Sequence, residues 1–321
     1  MSILAVAIPA YKRPELLRRN LLAVAPQCHL NDVSVYIFDD SCSNINQSVY
    51  DEITAMWPCL IVKKYPVNLG IDRNIDQCIS IPQCNYVWMI GEDDLAAEGA
   101  IVSILERLRM RPTYLFVNYQ YISNDYGKLL RVAVDDLSLG SATAGEFFSK
   151  HGWATGFLGA NVVNRLHWDV DSTAYMGTYF NHVGKIFSRL SPRDTVEAVA
   201  QPLVYNRAES LDSFSWLNDS FEVYAGFGVM IDRLVQRHPD WDPFARVCLA
   251  NFMDTMTIRD VKSLLVLRAL GVYSWDKYRL YMSGLPLSPV YALVAVTPVA
   301  LLKPVYRTYR ALKSHWVARF D

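Results

Sequence analysis

Within the first 120 residues, segments that are apolar throughout alternate with segments of helical spacing, and this alternation limits the possible folds more than any other feature of the chain. Residues 3–8, 33–38, 86–90 and 114–118 read as strands, and 60–64 as a weaker one. Pro14 opens a helix in which Leu16, Leu17, Leu21 and Leu22 recur at helical spacing, and further helices are expected over residues 71–79 and 97–109. Strands that are apolar on both faces are covered on both faces, and strands joined by helices run parallel. The expected class is α/β: a mostly parallel sheet with helices on both faces, Rossmann-like in its first half, followed by a helical C-terminal region.

In such sheets the ligand lies beyond the carboxyl ends of the strands. The polar residues fall there: Tyr11 and Arg13 after the first strand, Asp39 and Asp40 after the second, Asn68 and Arg73 after the third. Glu92, Asp93 and Asp94 follow the fourth, with Gly91 making the turn. Three adjacent carboxylates repel one another, and none is buried cheaply without a partner. A hard divalent cation, Mg²⁺ or Mn²⁺, removes the problem, taking one or two carboxylates together with substrate phosphates. The plain alternative is a solvated acidic turn capping the helix that follows.

Four stretches in order, Ile8-Pro9-Ala10-Tyr11-Lys12-Arg13, Phe38-Asp39-Asp40-Ser41, Asn68-Leu69-Gly70 with Asn74, and Gly91-Glu92-Asp93-Asp94, resemble the successive motifs of family 2 glycosyltransferases of the GT-A fold. The resemblance is good over residues 1–120 and weak afterwards. It implies transfer of a hexosyl or deoxyhexosyl group from a nucleotide-sugar donor, usually with inversion. Pro9, Ala10 and Tyr11 would line the nucleotide pocket, with Arg13 and Glu92 beside them. Asp39 would accept a hydrogen bond from the base, a helix N-cap being its alternative. Asn68 and Gly70 would shape the turn beneath the nucleotide. Arg73 would reach the base or phosphates, or else pair with Asp72 or Asp76. Asp93, with Asp94 beside it, would ligate the metal that bridges the phosphates. Gly91 departs from the family's Asp-x-Asp, so the contact of its first aspartate is missing or passes to Glu92 or Asp94. Similar Gly-acid-Asp-Asp variants occur in bacterial O-antigen and related polysaccharide glycosyltransferases.

The leaving nucleoside diphosphate gains negative charge as the glycosidic bond breaks, and a cation stabilises it without proton transfer. The acceptor hydroxyl needs a general base on the opposite face. No Glu-Asp pair of the kind used by inverting relatives is found. Asp171 is the first choice for the base, and Asp169 is the other carboxylate nearby. His182 is the second choice, as base or metal ligand, against the alternative of a packing histidine. Arg207, at the end of a strand over 203–207, is expected to touch the diphosphate. A hairpin over 119–134 turns at 124–127.

The expected organisation is a glycosyltransferase domain over residues 1–210 (nucleotide-binding half 1–120, acceptor half 121–210), a helical region over 211–279, and a membrane-associating tail over 280–321. Residues 280–302 carry no charge, yet Gly284, Pro286, Pro289 and Pro298 argue against one straight spanning helix. On a following helix Val305, Tyr309, Leu312, Trp316 and Phe320 share one face; Lys303, Arg307 and Arg310 lie opposite, and Lys313 and Arg319 flank it. That pattern suits an anionic membrane surface, with docking on the protein or on a second subunit as the alternative. The acceptor would then be polyprenyl-diphosphate-linked or an oligosaccharide, and the location cytoplasmic, peripheral on the inner face of the cell membrane.

A net charge of −1 gives no field for nucleic acid. Six cysteines without a CxxC pair read as reduced cytosolic thiols. The N-terminus lacks the basic region of a signal peptide. Two other classes remain at this point: a sugar nucleotidyltransferase, disfavoured because no glycine-rich loop follows the first strand, and a non-catalytic membrane-attached partner of the same fold.

Overall fold

The computed structural model describes residues 2–123, 126–137, 142–168, 173–207, 216–255, 260–283 and 287–317. Along the chain run β1 (Ser2–Ala10), α1 (Pro14–Leu30), β2 (Ser34–Asp39), α2 (Gln47–Met56), β3 (Leu60–Lys64), α3 (Ile71–Ser80), β4 (Cys84–Met89), β5 (Leu95–Ala96), α4 (Ala100–Leu108), β6 (Tyr114–Ile122), β7 (Leu129–Val132), α5 (Ala144–His151), β8 (Asn161–Asn164), α6 (Asn181–Ser188) and β9 (Glu197–Arg207). The described residues group into two compact units, one of Met1–Ser210 with Met230–Cys248, the other of Leu211–Val229 with Leu249–Asp321.

The first unit is built on one sheet in the order β3-β2-β1-β4-β8-β6-β9-β5, with β7 added to β6. β3, β2, β1 and β4 are all parallel, with the apolar β1 at the centre and β3, which ends in Lys63 and Lys64, on the exposed edge. Leu4 to Ala10 and Tyr86 to Ile90 are buried without interruption. Wholly buried side chains such as Trp88 and Phe116 each contribute about 1.5–3 kcal/mol of burial.

The sheet then reverses: β8 lies antiparallel between β4 and β6, and β6 returns to a parallel pairing with β9. The helix expected from residue 97 starts at Ala100. Leu95 and Ala96 instead pair with β9, and Gly99 stands at φ 76°, a left-handed conformation that no helix interior accepts. α2 was not expected at all. The hairpin forms between β6 and β7, closing at Ile122 and Leu129; positions 124 and 125 lie outside the described residues.

The second unit holds parts of α7 (Trp216–Arg237) and α8 (Asp242–Thr255), then α9 (Val261–Ala269), α10 (Trp275–Tyr281), α11 (Ser288–Val296) and α12 (Val299–Val317). Phe227 stacks on Phe252, and Phe221 packs against Tyr273. Among the described residues no single helix is long and apolar enough to cross a membrane. Residues 288–296 and 299–308 meet that length and composition only as a pair bent by 92°. The bend falls at Thr297 and Pro298, where a proline was expected to break the run. Arg268 fastens it, donating from Nε to the Thr297 carbonyl (2.9 Å) and from Nη1 to the Tyr273 carbonyl (3.1 Å).

Candidate active site

The acidic turn after β4 is held from inside. Asn20, buried on α1, donates through Nδ2 to the carbonyls of Gly91 and Asp94, both at 2.8 Å. The Asp94 side chain folds inward, accepting the Gly91 N–H at 3.2 Å, and burial raises its pKa well above the usual carboxylate range. A Cβ on residue 91 would lie 2.5 Å from Asp94 Oδ2. Glycine at this position therefore has a steric cause: the carboxylate of Asp94 fills the space of a side chain at 91.

Glu92 also turns inward, onto the loop after β1. It accepts the Tyr11 N–H at 2.7 Å and Arg13 Nε at 2.6 Å, while Arg13 Nη1 reaches Asp93 at 2.9 Å. Asp93 is the one carboxylate of the three that keeps an open side, 23% exposed. The Tyr126 hydroxyl donates to its carbonyl at 3.4 Å, with the Arg19 guanidinium over the Tyr126 ring.

Burial pushes the Glu92 carboxyl up to about 7, against the pull of Arg13 and the Tyr11 N–H. The sign follows directly. From its ordinary value of 4.5 up to about 7, the folded chain holds a proton that the unfolded chain has released, so Glu92's share of stability is present at low pH and lost as pH rises through that window. A shift of this size corresponds to about 3 kcal/mol. Urea unfolding of Glu92→Gln across pH 4.5–7 should therefore show a flatter pH dependence than the parent. Equal slopes in the two proteins would rule out Glu92 as the source.

A second cluster gathers at the end of β2. Asp39 accepts the Ser41 N–H (2.9 Å) and the buried Tyr50 hydroxyl (2.8 Å), so it closes a local turn and caps no helix. Asp40 accepts the N–H groups of Leu69 (2.7 Å) and Gly70 (3.0 Å), and Asn68 Oδ1 accepts the Gly70 N–H at 2.7 Å. Gly70, at φ 77°, then leads into α3. The two clusters meet where Ala10 pairs with Asp39 and Pro9 with Phe38.

The remaining expected residues are placed as follows. Arg73 is exposed and pairs with neither Asp72 nor Asp76, both of which bond elsewhere. Arg207, at the end of β9, is electrostatically coupled to Asp94 and Tyr126. Its Nε and Nη2 are buried with no hydrogen-bond partner among the described residues. His182 is fully enclosed in α6, its Nε2 3.2 Å from the Thr155 carbonyl, and burial lowers its pKa to about 4. Asp169 and Asp171 lie outside the described residues. Among the described residues no group of three or more His, Cys, Asp or Glu side chains forms a metal cage. With Glu92 and Asp94 turned inward, the donor set fits a cation only as one outward carboxylate, Asp93, completed by substrate oxygens.

Asn20, Asp40 and Tyr50 went unassigned from sequence. Only Asp40 carried a signal, its place beside Asp39.

Residues 5–154 match the family model for glycosyl transferase family 2. Abequosyltransferase RfbV of Salmonella typhimurium strain LT2 is 24% identical over 237 residues, 68% of this chain and 68% of that protein. Among solved structures, S. aureus TarS 1-349 superposes with a TM-score of 0.59 at 11% identity, over 96% of this chain and 91% of that one. Its complex with UDP-GlcNAc gives 0.58 at 11% identity, over 96% and 92%. Mannosyltransferase PcManGT from Pyrobaculum calidifontis, in complex with GDP-Man and Mn²⁺, gives 0.54 at 11% identity, over 98% and 87%. At such identities these structures establish the fold, which is GT-A-like.

Proposed function

We propose that this chain, whose residues 5–154 match the family model for glycosyl transferase family 2, transfers a hexosyl or deoxyhexosyl group, with inversion, from a nucleoside-diphosphate sugar to a lipid-linked or oligosaccharide acceptor in surface-polysaccharide assembly. The observation that carries this reading is the convergence of Tyr11, Asp39, Asn68 and Asp93 at the carboxyl ends of adjacent parallel strands. Arg207 adds a half-buried guanidinium, suited to a diphosphate, whose Nε and Nη2 have no hydrogen-bond partner among the described residues. The RfbV relative supports the polysaccharide setting, and the UDP-GlcNAc and GDP-Man complexes of the structural neighbours support the donor class.

In this reading Asp39 orients the base, the Asn68-Leu69-Gly70 turn carries the nucleotide, and Asp93 with Arg207 faces the phosphates. A divalent ion held by Asp93 and the phosphate oxygens would supply charge stabilisation for the leaving diphosphate. The Arg13 pair leaves one lobe of Asp93 open for that use. The proton of the acceptor hydroxyl goes to a carboxylate of the acceptor half, for which Asp171 is the first choice. The test is a screen of UDP-, GDP-, CDP- and dTDP-sugars for binding and hydrolysis, with and without Mn²⁺. No response to any of them would reject the reading.

The same proposal puts the protein at the anionic face of a membrane. Leu293, Val296, Leu301 and Val305, on α11 and the first half of α12, are each more than half exposed. No Asp or Glu occurs between Asp276 and Asp321, while Lys303, Arg307, Arg310, Lys313 and Arg319 do. Vesicles of phosphatidylglycerol and phosphatidylethanolamine should sediment the protein at low salt, with a salt-resistant fraction contributed by the apolar face. Leu293→Ser/Leu301→Ser should abolish that fraction. A parent protein that stays in the supernatant at low salt would exclude membrane attachment.

A further inference from the structure

Asp72, the second residue of α3, is directed at another part of the chain. Its Oδ2 accepts N–H bonds from three successive residues, Gly177 (2.6 Å), Thr178 (3.1 Å) and Tyr179 (3.3 Å), and its carbonyl accepts Asn181 Nδ2 at 3.4 Å. Gly177 and Tyr179 stand at φ 80° and 65°, which folds the loop so that its N–H groups converge on one anion. A tyrosine rarely takes that conformation, and the carboxylate at its centre accounts for it.

One turn along α3, Asp76 accepts the Trp168 indole N–H at 3.0 Å and the ammonium of Lys185. Lys185 is wholly buried and lies over the Trp168 ring. Carboxylates at i and i+4 on one helix face therefore grip a single stretch of the acceptor half. At its other end α3 starts from Gly70, whose N–H is held by Asp40 and Asn68 in the turn assigned above to the nucleotide.

We infer that Asp72 is a positioning residue that couples the two sides of the active site: order imposed on the turn at 68–70 by a bound nucleotide is carried through the first turn of α3 to the loop at 177–179. The inference rests on the proposed nucleotide site. Its physical basis is a short rigid path. Three N–H groups share one buried oxygen, so the loop cannot stay in place if Asp72 moves, and Asp72 is two residues from the turn.

Amide hydrogen exchange on the full chain tests this, with UDP, GDP, CDP or dTDP added in the presence of Mn²⁺. In the parent protein the nucleotide that binds should slow exchange about tenfold or more in peptides covering 65–75 and also in those covering 173–181. In Asp72→Ala, which removes the accepting oxygen, the first protection should persist and the second should vanish. A residue that merely stabilised the fold would not separate the two. Should Asp72→Ala fold poorly, Gly177→Ala carries the same test from the other partner. A Cβ at 177 meets nothing within 4 Å, so only the backbone conformation is disturbed. The inference is overturned if both stretches are protected in the variants as in the parent, or if only 65–75 responds in the parent. Absence of protection at 65–75 with every nucleotide would overturn the proposed function as well.

Discussion

Asp93→Ala is expected to lower kcat for sugar transfer by about a thousandfold, the scale of losing one electrostatic contact to a developing transition-state charge, while the melting temperature moves little. The stability expectation comes from exposure: the Arg13–Asp93 pair is partly solvated at both ends, and such pairs hold a fold by under about 1 kcal/mol. The catalytic expectation comes from geometry, because Glu92 and Asp94 point inward and leave Asp93 as the outward carboxylate of the turn. Asp93→Asn keeps the size and loses the charge, so it should fall nearly as far. Steady-state kinetics over a range of Mn²⁺ concentrations, alongside thermal melts, measures both. Transfer at the parent rate in either variant would leave Asp93 as an ordinary ion-pair partner.

The second large effect is expected at Asp39. If Asp39 orients the base as proposed, removing that charged hydrogen-bond acceptor should weaken nucleotide binding by about 1.5–3 kcal/mol, roughly 10- to 150-fold. Here the fold is also affected, because Asp39→Ala strands the buried Tyr50 hydroxyl and costs about 1–3 kcal/mol of stability. Asp39→Asn separates the two effects: its carbonyl can still accept one internal bond, so stability should largely return while affinity stays low. Calorimetric titration with the nucleotide identified in the screen gives the affinity. Tight binding by Asp39→Asn would argue that the carboxylate serves only the turn it closes with Ser41.

Much of this was written locally in the chain. The buried strands β1 and β4 stand out because Leu4 to Ala10 and Tyr86 to Ile90, covered on both faces, are apolar at every position. The residues at their ends stand out because polar groups there have no packing role. The 92° bend falls at Pro298, one of the prolines that mark this run as broken. What stayed hidden depends on contacts distant in sequence. Asn20 lies on the buried face of a helix, and nothing near it reveals that its amide meets carbonyls more than seventy residues away. β8 is short, and no feature of Asn161–Asn164 says that it runs antiparallel between two other strands. Asp72 and Asp76 looked like candidates for an ion pair with Arg73 on their own helix, and only the fold brings Gly177 and Lys185 to them. The acidic triplet stood out in the sequence as a candidate site, but the division of labour within it did not, since adjacent carboxylates differ here only in which way the backbone aims them.

Gly91 and Asp94 behave as one unit spread over two positions. The turn has room for a single side chain at its root, and in this chain that side chain arrives from three residues downstream. A motif read as letters in fixed columns scores glycine at 91 as a loss, although the cavity is filled and the backbone N–H beside it is satisfied. Restoring aspartate at 91 while keeping Asp94 would put two carboxylates into space for one. Any redesign of this turn toward the Asp-x-Asp form therefore has to exchange both positions together.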